Sequence, residues 1–199
     1  MPSPEYTWDR RLARYRGAGG RLVGRAEVMR ALDHALAGTG ERARALGQRL
    51  RSGQVGLPEW QQGMLAAIKD AHLYSAALAR GGWAQMSSED WGYVGPRVRF
   101  HYGKLQQWAE QLEAGTAPLD GRFTARSEMY FLSARGSWDD QDMRQQQAIG
   151  MTEEANVPHG ENCPDCQEQT AMGWVPIGTL ARPGQRACLS RCRCTVRYR

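Results

Sequence analysis

All five cysteines of this 199-residue chain lie between positions 163 and 194. Cys163-Pro-Asp-Cys166 forms a Cys-x-x-Cys pair, and Cys188-Leu-Ser-Arg-Cys192-Arg-Cys194 follows it. A Cys-x-x-Cys pair places two sulfurs on one tight turn, which is half of what a tetrahedral zinc site requires. The second group can supply the other half. The spacing therefore predicts a structural zinc site that crosslinks a small C-terminal module.

Four ligands close a zinc site, so five cysteines leave a choice. Cys163, Cys166 and Cys188 are expected to bind together with one of Cys192 and Cys194, of which Cys194 is preferred. The last two stand close together for a single ion, although alternate residues of a strand point the same way. A closed site of this kind leaves no open position for catalytic water. Disulfide bonds formed later in the life of the protein, or free thiols, are the alternatives.

The environment in which the chain is expected to fold favours metal binding over disulfide formation. No apolar run reaches the roughly 18 residues that a membrane span needs, and residues 1–25 are polar and rich in arginine, without the apolar segment of a secretory signal. We therefore expect folding in a reducing cytoplasm, where clustered thiols bind metal more often than they form disulfides.

The charge is concentrated at the two ends of the chain. Residues 1–51 contain eleven arginines against five acidic residues, and residues 182–199 contain six arginines and no acid. Such basic ends can bind nucleic acid, bind an acidic protein surface or be exposed only to solvent. The candidate contact residues at the C-terminus are Arg182, Arg186, Arg191, Arg193, Arg197 and Arg199.

The pattern upstream of the cysteines is helical. Apolar residues recur every three or four positions, and glycine and proline residues mark the ends of the expected helices. The expected elements are a loose tail over residues 1–7 and four helices. The first helix spans 24–51 with a kink or break at Gly38 and Gly40, and the second runs from Leu57-Pro58 to Gly81-Gly82. Ser87, with Asp90 three residues later, is a candidate N-cap, and the third long helix spans about Pro96 to Ala114. The fourth helix carries Phe123 and runs towards Gly150, with Gly136 as a weak point.

The predicted fold is therefore mainly α. A helical domain over residues 8–150, in which the helices pack as an antiparallel bundle, precedes a cysteine-rich module over residues 151–199. The module is rich in proline and glycine and has two β-prone pieces, Trp174–Ile177 and Thr195–Tyr198. It is expected to fold as turns and short strands around its own small core.

Other residues that carry chemistry give no catalytic pattern. His34, His72 and His101 are isolated within helical segments, and His101 lies on an apolar stripe, which favours a packed core histidine. No glycine-rich phosphate loop is present. The acidic residues near the end of the last helix are expected to form a solvated face; they are Asp139, Asp140, Asp142, Glu153 and Glu154. The sequence therefore predicts a protein that is not an enzyme.

The cysteine-rich module resembles the C-terminal module of tailed-phage minor head proteins. The resemblance rests on the ordered set of Cys163-Pro-Asp-Cys166, Gly173–Leu180, Pro183-Gly184 and the cysteines from Cys188 to Cys194. These head morphogenesis proteins are similar to the F protein of phage Mu and to the minor head protein of phage SPP1. Upstream, Arg126-Ser-Glu-Met-Tyr130, Gly81–Met86 and Asp90-Trp-Gly92 fit the same family. Many members carry His-Pro where Cys188 stands here.

The resemblance implies a low-copy structural protein of the virion, made in the host cytoplasm and placed in the capsid interior or at the portal vertex. Its implied partners are the portal protein, the major capsid protein or both, with packaged DNA as a further candidate. No membrane and no small-molecule substrate are expected. The alternative interpretation is a nucleic-acid-binding zinc protein that uses its arginine-rich C-terminus.

Overall fold

A computed structural model describes residues 5–160, 162–182, 185–187 and 192–199. Helices dominate the chain as far as Ala148, and short strands with one further helix form the cysteine-rich end. The prediction of a mainly helical fold followed by a small module with short strands is confirmed.

A small antiparallel sheet precedes the helices. Its strands are β1 (Thr7–Asp9), β2 (Arg14–Arg16) and β3 (Leu22–Val23), in the order β1-β2-β3. Tyr15 is buried, and its hydroxyl donates to the carbonyl oxygen of Ala79 at 2.6 Å. A loose tail was expected over residues 1–7, but Thr7 pairs with Arg16 in the sheet, and residues 1–4 lie outside the described ranges.

Two long helices follow the sheet. They are α1 (Arg25–Arg51) and α2 (Leu57–Arg80). α2 starts with proline in its first turn and ends at Gly81, which has a left-handed backbone with φ 91°, as the local signals predicted. The expected kink or break at Gly38 and Gly40 was wrong, because α1 runs through both residues. Glycine weakens a helix by only about 1 kcal/mol, which packing of the buried α1 face offsets.

Helix α3 spans Ser88–Glu113, so the expectation that it begins near Pro96 was wrong. Ser87 caps its N-terminus in a reciprocal capping box with Asp90, which satisfies two donors of the first turn. Pro96 lies inside the helix and is exposed, as is Gly92 one turn earlier. Water can therefore bond the Gly92 carbonyl oxygen that loses its helical donor.

The single helix expected after Phe123 is in fact two, α4 (Gly121–Leu132) and α5 (Arg135–Ala148). The break falls at Ser133, whose hydroxyl donates to the carbonyl oxygen of Tyr130 at 2.7 Å, and not at Gly136. Gly136 lies in α5, where a Cβ atom would approach the Arg97 guanidinium to 2.8 Å. The glycine therefore lets this arginine pack against the helix.

The main core lies among helices α1 to α5 and is rich in aromatic rings. Trp60 and Trp108 meet edge to face at 5.1 Å between ring centroids, and both contact Phe123. Aromatic pairs in such geometries each contribute about 0.5–1.5 kcal/mol beyond burial. The predicted apolar stripes supply the rest of this core, including Val28, Leu32, Leu36, Met64, Ile68, Leu78 and Leu105.

The C-terminal module is a second antiparallel sheet with one helix. The sheet consists of β4 (Glu153–Val157), β5 (Val175–Pro176) and β6 (Thr195–Tyr198), in the order β5-β4-β6. Helix α6 (Pro164–Ala171) follows β4 and packs against it. The buried cysteines of the module form a core cluster of their own, apart from the main aromatic core.

Candidate metal centre

Helix α6 positions the first cysteine pair. Cys163 is the N-cap residue, Pro164 occupies the first turn, and Cys166 follows within that turn. Proline suits this place because the first amide hydrogens of a helix have no helical acceptor. The pair therefore lies on the first turn of a helix, where the two sulfurs are 3.3 Å apart.

The second cysteine group lies on the segment that leads into β6. Cys192 and Cys194 are two residues apart and both are buried. The Sγ atom of Cys192 lies 3.9 Å from that of Cys166. The Sγ atoms of Cys166, Cys192 and Cys194 all lie within 4.8 Å of one another.

These sulfurs fit a metal ion that takes sulfur ligands. Four sulfurs at about 2.3 Å from one zinc ion are separated by about 3.8 Å, and the sulfur–sulfur distances of 3.3 and 3.9 Å bracket this value. The cluster is buried, its donors are all soft, and it joins two segments distant in sequence. The module can therefore hold a metal ion in a site of the structural type.

The structure bears on the choice among the five predicted ligands. Cys166, Cys192 and Cys194 form the cluster, and Cys163 adjoins it through Cys166. Both members of the pair from which one ligand was expected are thus present, two residues apart on the segment that leads into β6. Cys188 lies outside the described residues.

Polar side chains around the cluster form hydrogen bonds with the cysteines and with one another. Asn156 of β4 donates to the carbonyl oxygen of Cys166 at 3.2 Å and to Thr170 Oγ1 at 2.7 Å. Asn162 Oδ1 lies 3.4 Å from the Cys194 sulfur. Arg186, which is 1% exposed, places Nη1 2.7 Å from Asn156 Oδ1 and 3.5 Å from the Cys166 sulfur. Sequence reasoning assigned no metal-site role to these groups, because they lie outside the cysteine motif.

The C-terminal arginines that the structure describes occupy different environments. Arg182 is buried and pairs with the fully buried Glu154 at 2.7 Å. Arg182 and Arg186 are therefore structural residues in this fold and do not present their charges to a phosphate. Arg193, Arg197 and Arg199 are exposed. Arg199 pairs with Glu153 at 2.7 Å, and Arg191 lies outside the described residues.

The acidic residues of α5 are not the solvated face that was expected. Asp139 and Asp142 are buried, and Asp140 pairs with Arg97. Arg25 approaches Asp142 to 2.7 Å. Burial raises the pKa of Asp139 to about 7, against the opposing influence of nearby arginines. The expectation was wrong because α5 lies between other elements of the bundle, whose polar groups receive its side chains.

Two of the isolated histidines meet in the core. The rings of His72 and His101 stack with centroids 4.8 Å apart. His72 Nδ1 lies 2.8 Å from Ser137 Oγ, and His101 Nε2 lies 3.2 Å from Ser133 Oγ. Burial lowers the pKa of His72 to about 3 and that of His101 to about 4. Both rings are therefore neutral near pH 7, as expected of packed core histidines, whereas His34 is exposed.

No helix in the described ranges is both long and apolar enough to cross a membrane. Searches against protein-family models, curated proteins and solved structures find no match for this chain.

Proposed function

We propose that this chain is a minor head protein of a tailed phage, a low-copy structural component that binds the portal protein, the major capsid protein or both. It has no catalytic role in this proposal, and its place is the capsid interior or the portal vertex. The observation that carries the proposal is the clustering of Cys166 with Cys192 and Cys194. The motif that resembles the head-protein family thus provides the buried centre of a compact module.

The metal in this proposal is zinc, bound as a structural ion. Zinc has no redox chemistry, and four cysteine ligands are a common closed site for it. The ion would join the first turn of α6 to the segment before β6. The module has little apolar core of its own, so this crosslink would supply much of its stability.

Metal content tests the zinc site directly. We expect about one zinc ion per chain after purification under reducing conditions, and loss of folded structure in the module on addition of a chelator. Cys166→Ser should abolish binding, because the Cys166 sulfur touches those of both Cys163 and Cys192. Thr179→Ala is the matched control, since this exposed residue of the same module donates its backbone N–H to Pro176 and its side chain bonds no described residue. A metal-free wild type whose thiols pair in air would refute the zinc site.

Exposed aromatic residues support a role in assembly. Trp83 and Trp91 stack with ring centroids 5.9 Å apart and planes 6° apart, and both rings remain partly open to solvent. On α3, Tyr93 is 54% and Phe100 is 62% exposed. Aromatic residues are enriched at protein–protein interfaces and carry much of their binding energy. The helical domain therefore offers surfaces on which a virion partner can dock.

Co-expression tests this docking role. We expect the chain to co-purify with the portal or major capsid protein encoded in the same genome and to be present in purified particles. Trp91→Ala and Phe100→Ala should each weaken that association, on the order of 10-fold, because such aromatic anchors contribute more than 1 kcal/mol. Leu12→Ala is the control, since Leu12 is an exposed apolar residue of the β1–β2 turn. A chain that binds neither protein and is absent from particles would refute the proposal.

A further inference from the structure

Arg186 is a buried cation beside the cysteine cluster. Its Nε donates to the carbonyl oxygen of Ala181 at 2.8 Å, and its Nη1 donates to Asn156 Oδ1 at 2.7 Å. The same Nη1 lies 3.5 Å from the Cys166 sulfur. Nη2 is buried and makes no hydrogen bond to the described residues. The guanidinium group thus lies between β4 and the sulfurs, and its Nη2 still has hydrogens that it can donate.

No carboxylate of the described ranges forms an ion pair with Arg186. An arginine keeps its charge inside a protein, and a buried charge without a counter-charge is strongly unfavourable. The neighbouring Arg182 differs in this respect, because it pairs with Glu154. The burial of Arg186 therefore requires negative charge from another source nearby.

The cysteine cluster provides that charge when its sulfurs are thiolates, the form that metal binding requires. Neutral thiols and disulfides carry no charge. Three thiolates around a divalent ion carry a net charge of about −1, and four carry about −2. A metal–thiolate centre would therefore be the counter-charge of the guanidinium.

We infer that Arg186 is a positioning residue of the metal centre, which neutralises the charge of the metal-bound thiolates and holds the Cys166 sulfur by a hydrogen bond. This inference rests on the metal site of the proposed function. Asn156 extends the same unit, since it accepts from Arg186 and donates to the backbone of Cys166. The sheet, the arginine and the first turn of α6 thus fix one ligand in place, as outer-shell groups do at other metal sites.

The inference predicts a selective loss of metal affinity. In the full-length chain, Arg186→Gln should weaken zinc binding by about 10- to 100-fold, the usual effect of removing an outer-shell partner. Arg186→Lys keeps the positive charge but loses the planar fork of donors, so its affinity should fall by no more than about 10-fold. Arg197→Gln, at an exposed arginine of β6, should leave the affinity unchanged. Zinc affinity is measured by competition with a chromophoric chelator at fixed pH.

A second readout separates charge neutralisation from simple structural support. The zinc-loaded Arg186→Gln protein should react faster with iodoacetamide at Cys166 than the loaded wild type, because the thiolate loses its hydrogen bond and neighbouring positive charge. Peptide mass mapping identifies the alkylated cysteine. If Arg186→Gln does not fold, the zinc affinity of Arg186→Lys tests the inference instead. An affinity more than 10-fold below that of the wild type would overturn the role of charge.

The outcomes distinguish this inference from the metal site on which it rests. A wild type that binds zinc with the same affinity and reactivity as Arg186→Gln would overturn the role of Arg186 alone. A wild type that binds no metal would overturn both.

Discussion

Arg25 and Asp142 form an ion pair that joins the first long helix to the last helix of the bundle, with Arg25 Nη2 2.7 Å from Asp142 Oδ2. The Asp142 side chain is fully buried. Nη1 of the same arginine donates to the carbonyl oxygen of Val196 at 3.0 Å, and its guanidinium lies over the ring of Tyr198. One side chain of α1 thus contacts α5 and the strand β6 that follows the cysteines.

Replacing Arg25 should therefore destabilise the bundle and the module together. Arg25→Met leaves the Asp142 carboxylate buried without its cation, and loss of one partner of a buried pair costs about 3–5 kcal/mol. The free energy of unfolding from urea titration measures this loss. Arg21→Gln is the control, because Arg21 makes an exposed pair with Glu27, and such pairs contribute little. An Arg25→Met protein with the urea midpoint of the wild type would contradict this linking role.

The helix that receives Arg25 shows where sequence patterns are insufficient. Residues Arg135–Ala148 have no apolar stripe and look like a solvated helix, yet Ser137, Asp139, Gln141, Asp142 and Gln145 are buried. Their polar groups meet Arg25, Tyr15, His72 and Asp90 on four other elements. The periodicity of one segment contains no information about partners so distant in sequence, so burial of this helix was not predictable from it.

Local signals, in contrast, predicted much of the fold. Proline in the first turn of α2, glycine at its end and the Ser87 capping box act within a few residues, and the structure has all three. The cysteine spacing likewise predicted a cluster. What it did not predict is Arg186, whose place depends on how β4 and α6 pack. The single sequence hint is that this arginine belongs to a C-terminal stretch without acids.

Asp139 should make the protein less stable as the pH rises. Its carboxyl group is buried, and Oδ2 has no hydrogen-bond partner in the described ranges. Burial raises its pKa to about 7 in the folded chain, above the value of about 3.9 for an unfolded aspartate. The protonated form is therefore favoured by folding, and its stabilisation is present below pH 4 and lost as the pH rises towards 7.

Asp139→Asn removes this dependence. We expect the variant to gain stability over the wild type progressively between pH 4 and 7, by an amount on the order of 4 kcal/mol for a shift of about three pH units. Chemical unfolding across this range measures the difference. Asp120→Asn, which keeps an N-cap residue at the exposed start of α4, should follow the wild-type curve above pH 5. Parallel curves for Asp139→Asn and the wild type would show that the buried carboxyl is ionised without cost.

The stacked pair of His72 and His101 should have the opposite effect on stability, because it makes the protein less stable as the pH falls. The folded-state pKa of His101 is about 4, below the value of about 6.5 in an unfolded chain. The stability contributed by its neutral ring is therefore complete above pH 6.5 and falls as the pH drops towards 4. The loss is on the order of 3 kcal/mol for a shift of two to three units.

His101→Gln tests this assignment. The variant should be less stable at pH 7, because it loses the stacking against His72 and the contact with Ser133. Its stability should nevertheless decline less steeply from pH 6.5 to 4 than that of the wild type. His34→Gln, at an exposed position of α1, should keep the wild-type slope. Equal slopes for His101→Gln and the wild type would exclude His101 as the source of the acid sensitivity.

Gly81 is the point at which the end of α2 meets the first strand. Its φ of 91° lies in the left-handed region, and an added Cβ atom would overlap the backbone nitrogen of Trp8 and the Gln85 side chain. That nitrogen donates to Gln85 Oε1 at 2.7 Å, so the overlap would break a contact that holds β1 to the segment after α2. Gly81→Ala thus combines left-handed strain, which costs about 1–2 kcal/mol, with displacement of the backbone.

Gly38 is the matched comparison for this substitution. It lies inside α1 with open space around the position of a Cβ atom, so Gly38→Ala should raise the free energy of unfolding by about 0.5–1 kcal/mol. Gly81→Ala should lower it by more than 2 kcal/mol, because the strained backbone and the broken Trp8 contact add together. Urea unfolding of the two variants compares the effects directly. If both alanines stabilise the protein, the contact between β1 and the end of α2 is not required for the fold.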